Sequence, residues 1–259
     1  MTGTYPESRV RCRGGKMKLL INQIKIETKL FFRYKETMFW SFAFPVFFMV
    51  LFGLLGFGGD RVKYINFLLP GMIVMALMTT CIISTAVDIV SDRSKGIFRR
   101  LFVTPLSRPI LLGGKIINRY IIVLLQTILL IVVAVIFFGA RISGNYLLFW
   151  FVLTVGMLSF LGIGFVIASF VRRTESVHPI SMIAFFVLMF LGETFWPTQM
   201  IPKFLQPVTK VLPTTYLNRA LREVSIKAAG IEAIWLNLLI LIGWLIVCFT
   251  LSIRFFKWE

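Results

Sequence analysis

Few side chains in this 259-residue chain could do covalent chemistry. His178 is its one histidine, next to Pro179 at the entry of an apolar run, with no nucleophile–base set or ligand pattern beside it. It reads as an interfacial residue. Cys12, Cys81 and Cys248 show no paired spacing, which predicts neither a disulfide framework nor a metal cluster. Gly113-Gly114-Lys115 is followed by Ile116 and lacks the spaced glycine of a phosphate-binding loop. Acidic residues are nearly absent from the apolar runs, with Asp88 and Glu193 at their ends. A proton- or sodium-coupled carrier usually buries acids or broken helices at the midplane, so the chain shows no energy source of its own. Glu193 is the carboxylate that stands out, flanked by Phe195, Trp196 and Pro197. A charge held at membrane depth is costly unless hydrated or paired, which predicts a water-accessible pocket with Arg222 as a candidate partner. The alternative stays open that Glu193 reaches the headgroups with Trp196 in the aromatic belt.

The elements that must position these residues are apolar. Hydrophobic residues make up 58% of the chain, charged ones 15%, and mean hydropathy is +0.87. A soluble domain carries roughly 25% charged residues, so a water-soluble enzyme and a disordered chain are both excluded. Uncharged runs occupy Phe39–Phe57, Tyr64–Val87, Tyr120–Ala140, Ile142–Val171 and Ala233–Ile253. Each is long enough for a helix crossing a hydrocarbon core about 30 Å thick. A sixth run, Pro179–Gly192, has 14 residues and precedes Glu193, Trp196, Pro197, Pro202, Pro207 and Pro213. It predicts a span that ends early in a broken, re-entrant segment, which is tolerated only where protein packs on it or it lines a cavity. The fold class is an all-α polytopic membrane protein of six spans.

Net charge is +17, which elsewhere would suggest nucleic acid, yet the basic residues lie between the spans. With a cytosolic N-terminus, 20 of the 28 Lys+Arg fall inside and 8 outside. Both termini are therefore predicted to be cytoplasmic, in a bacterial or archaeal cell membrane. Residues 1–16 are a polar basic tail without the apolar core of a signal peptide. Arg13-Gly14-Gly15-Lys16 reads like translated ribosome-binding purines, which makes Met17 a candidate start.

Residues 17–36 carry Asn22, Lys25, Lys29, Arg33 and Glu36 at helical steps, opposite Ile21, Ile24, Thr28 and Phe31. This pattern predicts an amphipathic helix on the membrane surface, or an ordinary basic anchor, ahead of a single six-helix domain over 37–259. A second segment runs from Ser91 to Pro109. Ile97, Phe98, Leu101 and Phe102 form a short apolar stripe, Arg99 and Arg100 face away, and Pro105 ends the helix. Such a short amphipathic helix suits docking of a soluble partner.

Gly96-Ile97-Phe98-Arg99-Arg100-Leu101-Phe102-Val103-Thr104-Pro105-Leu106-Ser107-Arg108, with Lys115 after it, resembles the G-T-L-E-R-L-x-x-T-P-L-S-R motif of ABC-2 type exporter permeases. Gly192–Phe195, Pro197, Pro202 and Leu212-Pro213-Thr214-Thr215-Tyr216 with Arg222 resemble the same family's extracellular F-P…P…LP-x-x-Y…R pattern. Arg99 replaces the usual Glu, Ile97 the usual Thr, and Asp92 stands where Glu is common.

The resemblance implies a non-catalytic half-transporter. A separate ATPase subunit, carrying ATP and Mg, would couple through Asp92, Gly96, Ile97, Phe98, Arg99, Arg100, Leu101 and Pro105. No cofactor would bind this chain. Two copies, or one copy and a paralogue, would pair in lipid, where Gly71, Gly156, Gly162 and Gly164 could permit close approach. Glu193, Phe195, Trp196, Pro197, Tyr216 and Arg222 would cap the exit or line the substrate path. A re-entrant plug without substrate contact is the other reading. Three functions remain at this stage: export of drug-like or amphipathic molecules, as in the daunorubicin-type and nodulation-factor exporters; export of polysaccharide or teichoic-acid chains; and a channel or scaffold without an ATPase.

Overall fold

The computed structural model describes residues 13–33, 35–55, 61–97, 108–140, 144–195 and 202–255. These residues form helices α1 (Arg13–Arg33), α2 (Lys35–Leu55), α3 (Arg61–Met78), α4 (Thr85–Ser94), α5 (Arg108–Phe138), α6 (Tyr146–Phe170), α7 (Thr174–Leu191), α8 (Pro213–Lys227) and α9 (Ile231–Phe255). A π-helical segment, Thr79–Ser84, joins α3 to α4, and a single helical turn, Gln206–Thr209, precedes α8. Six helices are long and apolar enough to cross a membrane: α2, the continuous α3–α4 rod, α5, α6, α7 and α9. They alternate in direction. One end of the bundle therefore gathers α1, the end of α4 and the start of α5, while the other gathers the end of α7, the start of α3 and α8.

The α3–α4 rod is the centre, mostly buried, with α6 beside it; α2 and α9 are largely exposed and stand at the rim. Between apolar helices in lipid, association rests on close packing and interhelical hydrogen bonds rather than on a hydrophobic driving force. Glycines supply the closeness. A methyl at Gly164 of α6 would overlap the Cys81 carbonyl of the π segment, one at Gly156 would meet Leu217 of α8, and one at Gly162 would meet Cys248 of α9. A methyl at Gly71 would overlap the Thr194 carbonyl. The four glycines expected at an interface between copies thus all make contacts within the chain. Hydroxyls supply the bonds: Ser159 donates to the Leu241 carbonyl at 2.8 Å, joining α6 to α9, and Tyr120 pairs with Thr154 at 3.3 Å, joining α5 to α6.

The π segment has a local cause. The Ser84 and Thr85 hydroxyls bond carbonyls five residues back, on Thr79 and Thr80, where the wider turn places them. Periodicity in the run Tyr64–Val87 gave no sign of it.

Three boundaries differ from the sequence reading. The short run Pro179–Gly192 gains its length from the polar residues Thr174–His178, and α7 passes through Pro179. A proline this near a helix start costs only the bond to the exposed Glu175 carbonyl. The run Ile142–Val171 begins its helix at Tyr146, because Asn145 caps it by accepting from the Leu147 and Leu148 amides at 2.9 and 3.4 Å. The 88–119 connection is largely helical, since α4 continues to Ser94 and α5 starts at Arg108.

Candidate functional site

Glu193 lies where α7 breaks. Its backbone is left-handed (φ 56°), an uncommon conformation for a residue with a Cβ, and its side chain is buried at 5% exposure. The carboxylate is not open to water, contrary to the expected accessible pocket, nor does it reach out to headgroups. It is held by Arg219 of α8, whose Nε donates to Oε2 at 3.0 Å and whose terminal amine donates to Oε1 at 2.6 Å. Such a two-pronged guanidinium–carboxylate pair fixes orientation as well as charge.

Arg222, the expected partner, makes a weaker ionic contact, 4.0 Å from Oε2. Its main work is on backbone: it donates to the carbonyls of Glu193 at 2.6 Å, Thr194 at 3.3 Å and Phe67 at 3.2 Å, and its guanidinium lies 3.7 Å over the Phe67 ring. Arg219 and Arg222 lie three residues apart on one face of α8, so both reach Glu193, Arg219 through the carboxylate and Arg222 chiefly through the backbone carbonyl. Burial pushes Arg222 down to about 10, with Glu193 opposing, while the hydrogen bond to Glu193 raises Arg219 above its ordinary value. Both guanidiniums are charged at neutral pH.

Further hydrogen bonds hold the plug around this pair, although Thr214 Oγ1 and Asn218 Oδ1 are buried without a partner among the described residues. Asn218 donates to the Gly192 carbonyl at 2.7 Å and to Thr194 Oγ1 at 3.4 Å. The Phe195 ring sits 5.1 Å from Phe52, 6.1 Å from Phe48 and 6.3 Å from Phe190, anchoring the break to α2 and α7. Tyr216 is not brought to Glu193; its hydroxyl donates to the Lys210 carbonyl and closes the loop before α8. Pro213 at the first position starts α8, a four-turn helix within the segment expected to be broken, helical and re-entrant. Trp196 and Pro197 lie outside the described residues.

At the opposite end, Asp92 of α4 bonds Lys115 of α5 at 2.7 Å, and Lys115 also reaches Glu27 of α1 at 3.0 Å. Asp88 pairs with Arg119. Gly96 ends α4 with φ 67°, a left-handed turn that suits a residue without Cβ, and Ile97 follows half-buried. Phe98, Arg99, Arg100, Leu101 and Pro105, and with them the expected coupling helix, lie outside the described residues. On α1, Phe31 is buried as the amphipathic pattern predicts, but Ile21 is exposed and Glu27 turns inward to Lys115. Arg219, Glu27, Asp88 and Arg119 were not singled out in the sequence. The matched four-residue spacings of Asp88/Asp92 and Lys115/Arg119 are the signal that could have found the Asp88–Arg119 contact; nothing in the sequence pointed to Glu27. Among the described residues, no three His, Cys, Asp or Glu side chains are grouped to hold a metal ion.

Six membrane-length helices with a polar cluster at each end of the bundle define a multi-pass helical membrane protein. The chain belongs to the ABC-2 type transporter family, whose sequence profile matches residues 20–226, and it is a membrane permease of an ABC transporter. That membership implies association with an ABC ATPase. ABC transporter G family member 20 of Dictyostelium discoideum is 27% identical over 201 residues, 76% of this chain. The chain spans only 27% of that relative's length. The daunorubicin resistance ABC transporter permease protein DrrB1 of Streptomyces coeruleorubidus is 26% identical over 223 residues, 82% of this chain and 77% of that protein. YvfS of Bacillus subtilis is 27% identical over 245 residues, 91% of this chain and 96% of that protein.

Proposed function

We propose that this permease is the membrane half of an ATP-driven exporter of drug-like, amphipathic molecules. Two copies, or one copy and a paralogue, form the path, and a separate ATPase docks on the segment from Asp92 to Pro105. Both termini are cytoplasmic, so α1 and the Lys115 cluster face the cytosol and the Glu193 plug faces outward. The observation that carries the reading is the family match over residues 20–226, which includes both the docking segment and the plug. The name of the Streptomyces relative, a daunorubicin resistance permease, supports the substrate class. The burial of Glu193 and its pairing with Arg219 support a closed exit in this conformation.

Co-expression with the cognate ATPase tests this. The wild-type chain co-purifies with the ATPase and moves daunorubicin into inverted vesicles on ATP addition. Phe98→Asp or Leu101→Asp inserts an unpaired charge into an apolar contact and weakens the complex by about 2 kcal/mol or more. A complex that survives both substitutions with unchanged turnover refutes the docking assignment. Transport of lipid-linked glycan in place of daunorubicin refutes the substrate class.

A further inference from the structure

Between α7 and α8 the chain turns back into the bundle, and two contacts fix how deep it goes. The Trp244 indole of α9 donates to the Val211 carbonyl at 3.0 Å. The charges on α9 are Glu232 and Arg254, and none lies between them. Trp244 stands 12 residues from the first and 10 from the second, about 18 and 15 Å along the helix. The second contact is Leu217, four residues into α8, which occupies the space beside Gly156, ten residues inside α6. The start of α8 therefore lies near the middle of the apolar layer. From there α8 climbs back to the end of the bundle where α9 begins.

The chain just before α8 is held at this level through its backbone. The Thr215 hydroxyl donates to the Thr209 carbonyl at 2.7 Å, and the Tyr216 hydroxyl donates to that of Lys210. The outward side chains are open: Phe204 is 76% exposed and Val211 62%, with Lys203 and Lys210 exposed among them. Lys210 adjoins the anchored Val211 and forms no ion pair with a described residue. Its four-carbon stem covers less than half the distance to either charged end of α9, so the ammonium cannot reach the headgroups.

A cation at this depth is costly in lipid and is kept where it meets a counter-charge or water. A second copy of the chain offers no counter-charge among the described acids. Glu27, Asp88, Asp92 and Glu175 lie toward one end of the bundle, Glu223 and Glu232 toward the other, and Glu193 is buried against Arg219. Water is what remains. An ammonium donates three hydrogen bonds and accepts none, so beside the apolar surface of Phe204, Val208 and Val211 it favours molecules that bring acceptor oxygens.

We propose that the exposed face of residues 203–211 lines the water-filled transport path. Lys210 is the specificity-determining residue on it, hydrogen bonding the carbonyl, carboxylate or phosphate oxygens of an amphipathic substrate. This rests on the exporter reading above and names the polar group that its substrates carry.

The first test is water access, read with the full chain and its ATPase in proteoliposomes and a charged methanethiosulfonate as the probe. The background is Cys12→Ala/Cys81→Ala/Cys248→Ala. In it, Lys210→Cys is compared with Ile246→Cys, an exposed position of α9 two residues beyond Trp244 and so at the same depth. Thiolate forms only where water reaches, so Lys210→Cys labels about tenfold faster or more, and daunorubicin slows it. Equal rates at the two positions, or no protection by daunorubicin, overturn the proposal. The second test keeps the native cysteines. Lys210→Met raises the KM for daunorubicin, whose rings carry carbonyl and hydroxyl oxygens, by about threefold or more at unchanged kcat and melting temperature. Lys210→Arg keeps a cationic donor there and holds KM within about twofold. Tetraphenylphosphonium, an amphipathic cation without an acceptor oxygen, competes no worse in Lys210→Met than in wild type. An unchanged KM in Lys210→Met, or equal weakening of both molecules, overturns the selecting role. A wild-type chain that binds no ATPase and takes up no daunorubicin overturns the exporter reading instead, and the labelling contrast still decides whether this face is wet.

Discussion

At the residue scale, the plug sets one carboxylate against two guanidiniums, and the three side chains differ in what they leave behind when changed. Arg222 is deeply buried and holds three backbone carbonyls, so Arg222→Ala orphans those of Glu193 and Thr194, while the Phe67 carbonyl keeps its bond within α3. We expect a loss of about 3 kcal/mol, since each unsatisfied buried acceptor carries its own desolvation cost. Glu193→Gln removes the charge from the pair with Arg219 while keeping a hydrogen-bonding side chain, for a loss of about 2 kcal/mol. Arg219→Ala leaves the buried Glu193 carboxylate with only the 4.0 Å contact to Arg222, so it costs more than Glu193→Gln, which removes the charge itself. Thermal unfolding in detergent checks the order, and a smaller loss for Arg219→Ala than for Glu193→Gln refutes the pairing. In vesicles, Glu193→Ala and Trp196→Ala are expected to lower transport while ATPase binding persists. Wild-type rates in both would leave the segment as an anchor.

At the element scale, glycine contacts decide which helices can meet. Gly71 of α3 lies against the Thr194 carbonyl that Arg222 also binds, so Gly71→Ala pushes on the plug through backbone, which cannot yield as a side-chain tip can. We expect it to cost about 1–3 kcal/mol, in the range of overpacking, and to lower transport. Gly164→Ala pushes likewise on the Cys81 carbonyl and is expected to disturb the π segment. Gly243 of α9 has open space where a methyl would go, and Gly243→Ala should stabilise by up to about 1 kcal/mol through helix propensity. Melting temperatures that move the same way for Gly71→Ala and Gly243→Ala would contradict these contacts.

At the scale of the whole molecule, the rim helices carry wide apolar faces, including Trp40, Phe47 and Leu54 on α2, Ile183 and Phe186 on α7, and Trp235 and Ile246 on α9. Under the two-copy proposal, lipid and a second chain would divide this surface between them. The expected outcome is a protein mass of twice the 29.7 kDa chain in mild detergent by light scattering, and two permease chains per complex when the ATPase is bound. A monomer in both conditions, matched by monomer-only crosslinking in native membranes, counts against a two-fold transport path.

The sequence by itself determined the solvent and the number of crossings. A chain with so few charges cannot cover a water-facing surface, and a run of about 20 uncharged residues has the length of the hydrocarbon core whatever it packs against. The place where the fifth span breaks was legible too, because Gly192, Glu193 and the prolines beyond them cannot continue an apolar helix. What only the tertiary structure decided is who pairs with whom. Arg219 and Arg222 are equal candidates in sequence, and the rotation of α8 against α7 chooses between them. Glu27 belongs to a helix whose polar residues look solvent-facing until α5 brings Lys115 beneath it. The glycines face within the chain because each meets a backbone or a bulky side chain from a helix distant in sequence. Span length is a property of one segment, whereas pairing depends on the phase of two helices, and a single sequence states the first without the second.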